Sequence, residues 1–516
     1  LELTIGITNF LPGWNIILNQ IGVPIKETKA DNPSDFENLP VLIVSKTQTP
    51  QGRDNLINYL NNGGCILTEA DIASHLIDLE LQKNHIKYLF DPEGPIFNNV
   101  NICDLDIKCS VDKKARYLKD QKGRKSTSLH SIGKGFLFIL PSDFTDSILE
   151  KKIVRKNFPT QVQNAFPSER VSSVSKGSVR HIIYNSLRIL FHKKDLPFLH
   201  LWNFPNNKQT IFSFRVDTDS ASKSDIESLY QICKSNNISA TWFVDVESRE
   251  NYIDYFSMME NQEIGYHCYT HRIYSDYNSN YQDIARGLSV LKNTGIELKG
   301  YAAPFGEWNF QLGRLIEKMG FEYSSEFGCD YDDLPFFPYI GDQFSTTLQI
   351  PIHPISSRRL FLAKHNDQEM VEYYLQVMQQ KLFLNEPIIV YHHPIHGHFE
   401  IFDQIFKKMN KRNIPNMNLY DFNWWWRRRL NTKWYVKYEN DRFIFNPRNV
   451  DSSLSAFAHF PDGKKILIPL NNPTKQIQLE TEVDSTFFYY NSKKLRGFKL
   501  PMLWDDIETS YGKLKH

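Results

Sequence analysis

Thr210-Ile-Phe-Ser-Phe-Arg-Val-Asp-Thr-Asp219 is the stretch on which the reading of this chain turns. Its first seven residues are apolar or β-favouring around a single charge, and two carboxylates close it. That is the pattern of a buried strand delivering acids to the rim of a sheet or barrel. Side chains alternate faces along a strand, so Arg215, Asp217 and Asp219 are expected to point the same way. Neighbouring carboxylates repel and need a cation; Arg215 supplies part of that charge and a metal the rest. A strand end followed by a solvated Asp-Thr-Asp-Ser turn fits the ten residues equally well, so the surroundings decide.

Working outward, strand and helix patterns alternate. Strands are expected at 210–217, 240–246, 263–267, 298–302, 321–325 and 387–392. Helices are expected at 223–236 (with Ser224 as cap), 251–260, 280–293, 309–319, 367–384 and 400–411. Parallel strands with intervening helices predict a (β/α) barrel, whose chemistry collects at the carboxyl ends of the strands. Polar groups stand at those ends in turn: Asp217 and Asp219, His267 and His271, Ala303-Pro304-Phe305-Gly306, Asp330 with Asp332 and Asp333, and Tyr391-His392-His393-Pro394. In a turn of helix, His267 and His271 would share a face. Two histidines and one aspartate make an open three-ligand site with room for water and substrate.

Taken together, these residues resemble the polysaccharide deacetylase, or NodB-homology, family of carbohydrate esterases over roughly 205–430. Asp217-Thr218-Asp219 is similar to the spaced version of the family's Asp-Asp motif, and His267-Cys-Tyr-Thr-His271 to its His-x-x-x-His motif, with Cys268 in place of a small hydroxyl residue. Tyr301-Ala-Ala-Pro-Phe-Gly306 resembles the Arg-x-Pro-aromatic-Gly motif, except that Ala302 stands where the family has arginine. Asp330-Tyr-Asp-Asp333 is a loose counterpart of the Asp-rich motif, and Val390-Tyr-His-His393 of the terminal His motif.

The resemblance implies a metal, Zn²⁺ by expectation, held by Asp219, His267 and His271. It implies Asp217 as base and His393, or His392, as acid. Pro304, Phe305, Gly306, Trp308 and Asp333 are expected in the substrate groove. Arg215, on the strand face of Asp217, is expected to replace the missing arginine.

The flanks read differently. Residues 1–150 alternate strand and helix, with a continuous apolar run at Leu39–Ser45 that suits a parallel strand covered on both faces. The order, with Tyr59-Leu-Asn-Asn-Gly-Gly-Cys-Ile-Leu67, resembles the flavodoxin-like class I glutamine amidotransferase fold. Cys65 opens a strand after two glycines rather than sitting in a strand-to-helix turn. It is expected to be a buried thiol, and the domain non-catalytic, with no protein partner identified. Residues 151–207 are expected to be a connector packing on the barrel, with Leu196–Pro205 as an apolar strap. In Trp424-Trp-Trp-Arg-Arg-Arg429 within the barrel domain (208–432), the expectation is a capping helix that buries tryptophan and exposes arginine. Residues 433–516 show short strands and an Asp462-Gly463 hairpin signal, which predicts a small β-sandwich.

With 516 residues, the chain is expected to form roughly two to four domains. A net charge of +1 gives no general attraction to nucleic acid or anionic lipid. No run of about 18 apolar residues predicts a membrane span. The six cysteines form no C-x-x-C pair, which favours a reducing, cytoplasmic setting. Leu1, in place of Met, leaves an upstream segment and export open. The expected activity is metal-dependent removal of acetyl groups from an N-acetylated polysaccharide or oligosaccharide. Two alternatives stay open: a catalytically impaired glycan-binding or assembly module, motivated by Ala302, and hydrolysis of another non-peptide C–N bond.

Overall fold

Phe212–Asp217 forms a strand, β1, that is buried at every position. The computed structural model describes residues 1–161, 166–440, 442–446 and 451–478. In it, β1 shares a sheet with Thr241–Asp245 (β2), Glu263–Cys268 (β3), Gly300–Tyr301 (β4), Tyr323–Ser324 (β5), Leu348–Gln349 (β6) and Ile388–His392 (β7). The order is β6-β5-β4-β3-β2-β1-β7, with every pairing parallel. Burial on both faces explains why β1 and β7 read as almost unbroken apolar runs.

The sheet is strongly curled. Arg215 on β1 hydrogen-bonds to the carbonyl of Ser325, just beyond β5. In a flat sheet, strands four places apart lie about 19 Å from each other. His353 N–H, beyond β6, donates to Ile389 O on β7 at 2.9 Å. The result is a distorted barrel. β6 lies in a stretch whose sequence has no regular pattern.

Two local expectations change. The helix Lys223–Ser235 is capped by Ser222, not Ser224, in a reciprocal box with Asp225. Ser222 has the extended backbone an N-cap needs, whereas Ser224 already lies inside the helix. The expected helix at 251–260 is instead a 3₁₀ run, Glu247–Met258, broken at Tyr252.

The chain divides into two compact units. The described residues of the barrel unit are Lys151–Ser173 and Gln209–Trp424; the other unit holds Leu1–Glu150, Val174–Lys208 and the described part of Trp425–Asp484. The expected connector is therefore shared between them. Ile153–Asn157 and Ser168–Ser172 form an antiparallel hairpin in the barrel unit. The helix Lys176–Lys193 and the strand Phe198–Leu201 belong to the other unit. The strap at 196–205 pairs as that strand with Ser455–His459, because buried backbone needs a ladder partner.

In this other unit, Ile25–Glu27, Ile5–Ile7, Val41–Val44, Cys65–Glu69 and Gly135–Leu140 run parallel in that order. Lys125–Ile132 and Tyr117–Lys119 extend the sheet antiparallel. Ser455–His459, Lys465–Pro469 and Ile477–Gln478 form an antiparallel sheet with Phe198–Leu201, turning at Asp462-Gly463 as expected. Of the strand expected at Ile477–Glu482 only the first two residues are described, and that at Ser485–Tyr490 lies outside the described residues. Among the described residues, no helix is long and apolar enough to cross a membrane.

The Trp-Arg run departs from its expectation. Trp425 and Trp426 are buried, but so is Arg429, within the first unit. Its guanidinium donates to the carbonyls of Asn19, Gln20, Ile21, Leu201 and Trp202 over 2.9–3.2 Å. A helix end and a strand thus gain a common donor that closes their carbonyls. Arg429→Met should lower stability by roughly 3 kcal/mol, because several buried acceptors lose their partner together; denaturant unfolding monitored by tryptophan fluorescence measures this.

Candidate active site

The site is built on the carboxyl end of β1. Arg215 and Asp217 are 0% and 3% exposed. Arg215 Nε and Nη2 each donate to one Asp217 oxygen at 2.7 Å, a bidentate pair between residues two apart on one strand face. The guanidinium lies 5.1 Å from the Phe243 ring and 5.6 Å from that of Tyr391. Burial opposes its charge, but Asp217 outweighs that and raises its pKa.

Thr218 turns away from the site. Its hydroxyl accepts from Asp245 N–H at 3.0 Å, its N–H donates to Phe243 O, and Arg249 bonds its carbonyl. This anchored residue carries the chain over to Asp219.

Asp219 meets the two histidines. Its Oδ1 is 2.9 Å from His267 Nε2 and its Oδ2 is 3.0 Å from His271 Nε2. Nonetheless Asp219 Oδ1 and both Nε2 atoms are buried without an aligned hydrogen bond. They point at a common space, as ligands of one ion do, and one donor atom from each of the three residues lies within 4.8 Å of the others. His267 Nδ1 lies 2.6 Å from Ala302 O. A proton on Nδ1 donated there leaves the Nε2 lone pair for a metal. The N₂O donor set and the fixed tautomer fit a divalent cation such as Zn²⁺. Burial would raise the Asp219 carboxyl, but the imidazoles hold it well below the usual carboxylate range. His267 is lifted to about 9, Asp219 outweighing burial.

The histidines are not joined by a helical turn as expected. His267 is the last residue but one of β3, and residues 269–276 are irregular. Asp283, from the helix Tyr277–Leu291, accepts from the backbone N–H of Tyr269 at 3.2 Å and of Thr270 at 3.0 Å, and from the Thr270 hydroxyl. It holds the loop so that the imidazole rings lie 5.3 Å apart.

On β7 the pleat separates the two terminal histidines. His393 Nε2 is 3.9 Å from Asp217 Oδ2 and 3.5 Å from Asp219 Oδ2. Burial lowers its pKa. His392 turns the other way, 3.0 Å from the Ser357 hydroxyl and packed on Phe402, and does not line the pocket.

The pocket, of about 240 Å³, is bounded by Asp217, Asp219, His271, His393, Phe305 and Gly306 among others. Phe305 has a φ of +60°, an uncommon conformation for a bulky residue, and its ring packs 4.7 Å from His271. Three expected groove residues do not line it. Pro304 is buried in the 3₁₀ turn. Trp308 packs inward, its ring 3.0 Å from where a Gly313 side chain would begin. Asp333 is buried, and neighbouring Asp332 joins an internal ion pair with His353 and Lys381.

Other pocket residues carry no motif in the sequence. The strands Ile153–Asn157 and Ser168–Ser172 contribute Ile153, Glu169 and Arg170; Arg358, Arg359 and His396 line the pocket as well. Glu326, fully buried beyond β5, accepts from Ala303 N–H at 3.2 Å; burial pushes its carboxyl up to about 7 against the pull of Arg215.

Residues 209–324 match the polysaccharide deacetylase family model. The matched stretch runs from β1 to β5 of the barrel. A peptidoglycan deacetylase of Helicobacter pylori (strain ATCC 700392 / 26695) is 26% identical over 125 residues, which are 23% of this chain and 42% of that relative. The chain thus spans less than half the length of that curated relative. A probable polysaccharide deacetylase from Pseudomonas aeruginosa PAO1 aligns with a TM-score of 0.39 at 15% identity, over 44% of this chain and 93% of its own. A peptidoglycan deacetylase of Bacillus subtilis aligns with a TM-score of 0.32 at 14% identity, over 44% and 95%. Against the polysaccharide deacetylase pattern, this domain keeps the acids and histidines and lacks the arginine at Ala302.

Metal analysis of the purified full chain should find about one divalent cation per molecule. Asp219→Ala and His271→Ala should each abolish its retention, whereas Asp217→Asn should keep it.

Proposed function

We propose that the protein hydrolyses N-acetyl groups of a polysaccharide, with a divalent metal, Zn²⁺ by preference, held by Asp219, His267 and His271. One observation carries this reading: the two acids at the end of β1 have different partners. Asp217 is chelated by a guanidinium, Asp219 faces two imidazoles, and His393 reaches toward both.

A bound metal supplies Lewis-acid polarisation of the acetyl carbonyl and acidity to the attacking water. The side chains of this chain divide the remaining work. Asp217, oriented by Arg215, removes the proton of the attacking water. Arg215 holds that carboxylate in one rotamer and balances its charge inside a buried pocket. His393, on the far side of the two acids, gives a proton to the departing amine nitrogen. Phe305 offers an apolar face for a sugar ring. The guanidinium that a relative would carry at position 302 is supplied by Arg215 along the same strand as its acid.

The flanking unit is read as scaffolding. Its parallel strand order supports a flavodoxin-like assignment. Cys65 is buried, with its thiol pushed up to about 11 by burial, so it does not offer a thiolate.

Acetate release from N-acetylglucosamine oligomers by the Zn²⁺-loaded chain tests the proposal. Asp217→Asn should lower kcat by about 10²–10⁴-fold with the metal retained. Arg215→Met should also lower it, by about 10²-fold, because Asp217 loses both its orientation and its counter-charge. Bound metal without acetate release, on either glycans or small cyclic amides, would defeat the reading.

A further inference from the structure

We infer that the glycan taken by this pocket is acidic, and that Arg358 is the residue that reads a carboxylate lying next to the N-acetyl group; the inference rests on the deacetylase reading above. The pocket wall is rich in charge, and almost all of it is matched internally. Arg359 chelates Glu169 through Nε and Nη2 at 2.5 and 3.0 Å. Arg170 Nη1 lies 3.6 Å from Glu307 Oε1. Asp217 is held by Arg215, and Asp219 faces the two imidazoles. Each carboxylate around the cavity therefore already has a cation.

Arg358 lines the same cavity and has no carboxylate partner among the described residues. It stands at the start of the helix Ser357–Leu362, and the pairing of Arg359 with buried Glu169 fixes its backbone. Arg358 itself is exposed, so its guanidinium can meet a ligand that enters the cavity. Close by is His396, whose ring lies 5.6 Å from that of His393. Its pKa falls to about 4, through burial first and then the positive potential of His393 and Arg358. A divalent cation on Asp219 would add further positive charge to this pocket.

A neutral sugar chain offers such a wall hydroxyl and amide acceptors but no opposite charge. A carboxylate matches the planar fork of a guanidinium through two parallel hydrogen bonds. Phe305 and Leu362, 37% and 45% exposed at the same cavity, leave apolar surface for the sugar that carries it.

The test compares a carboxylate-bearing N-acetylated oligosaccharide with the same molecule after reduction of its carboxyl to an alcohol. Both acetate release and binding are measured with the Zn²⁺-loaded full chain. The acid should be preferred in kcat/KM by about tenfold or more, mainly through KM. Arg358→Gln should bring that ratio close to one, and Arg358→Lys should retain part of it. Equal kcat/KM for the two glycans, or an acid preference that survives Arg358→Gln, overturns the inference and leaves the deacetylase reading standing. No acetate from either glycan, with tighter binding of the acid that Arg358→Gln removes, overturns the hydrolase reading and keeps the anion site. No acetate and no binding preference overturns both.

Discussion

The barrel depends on a guanidinium sealed inside it. Arg215 leaves β1 and meets the Asp217 carboxylate of its own strand, the Ser325 carbonyl from the far side of the curl, and the faces of Phe243 and Tyr391. Burying a full charge is expensive unless nearly every donor is satisfied. Here the acceptors come from segments that lie close only when the sheet is curled. A flatter sheet would take the Ser325 carbonyl away from Nη1, so the guanidinium is fully satisfied only in the curled sheet. Because the two residues are two apart on a strand, the pleat alone aims them at one another, and the Asp217 carboxylate has its orientation without a ligand.

The same economy runs through the cluster of Asp219, His267 and His271, where backbone groups do much of the holding. Ala302, where a relative would carry arginine, gives its carbonyl to His267 and so fixes which nitrogen faces the cavity. Thr218, the residue between the acids, is tied on three sides, so Asp217 and Asp219 face one space from different backbone settings. One stays on the strand and one leaves it, which is why one is chelated by arginine and the other by imidazoles. Asp283 performs the matching task for the 267–271 loop.

What the sequence revealed follows from the range of the interactions involved. Arg215, Asp217, Asp219, His267, His271 and His393 were legible because strand ends of a parallel barrel lie together whatever the loops do. Asp283 was not, since a helical aspartate reaching back to two amides has no pattern of its own. Nor were Glu169 and Arg170, which enter the pocket on a hairpin outside the alternating pattern, paired across a sequence gap that periodicity does not bridge. Trp308 and Asp333 misled because residue type was read as exposure: an aromatic beside a turn and an acid in an acidic run both proved to be internal. The Trp-Arg run misled in the opposite sense. Arginine is buried when a cluster of carbonyl ends needs a donor, and the ends at 19–21 and 201–202 are far from it in sequence.

With the guanidinium on β1, its aim rests on few other parts of the fold. On β1 it depends on one strand's pleat and on a carbonyl beyond β5. The neighbourhood of position 302 is then free to hold a small side chain, and Glu326 comes to lie against the Ala303 amide within the field of Arg215. Burial favours the protonated form of that carboxyl, and Arg215 pulls the other way. Glu326 and Arg215 are therefore coupled: the β1 guanidinium offsets part of the burial cost of a carboxyl that holds the Ala303 amide.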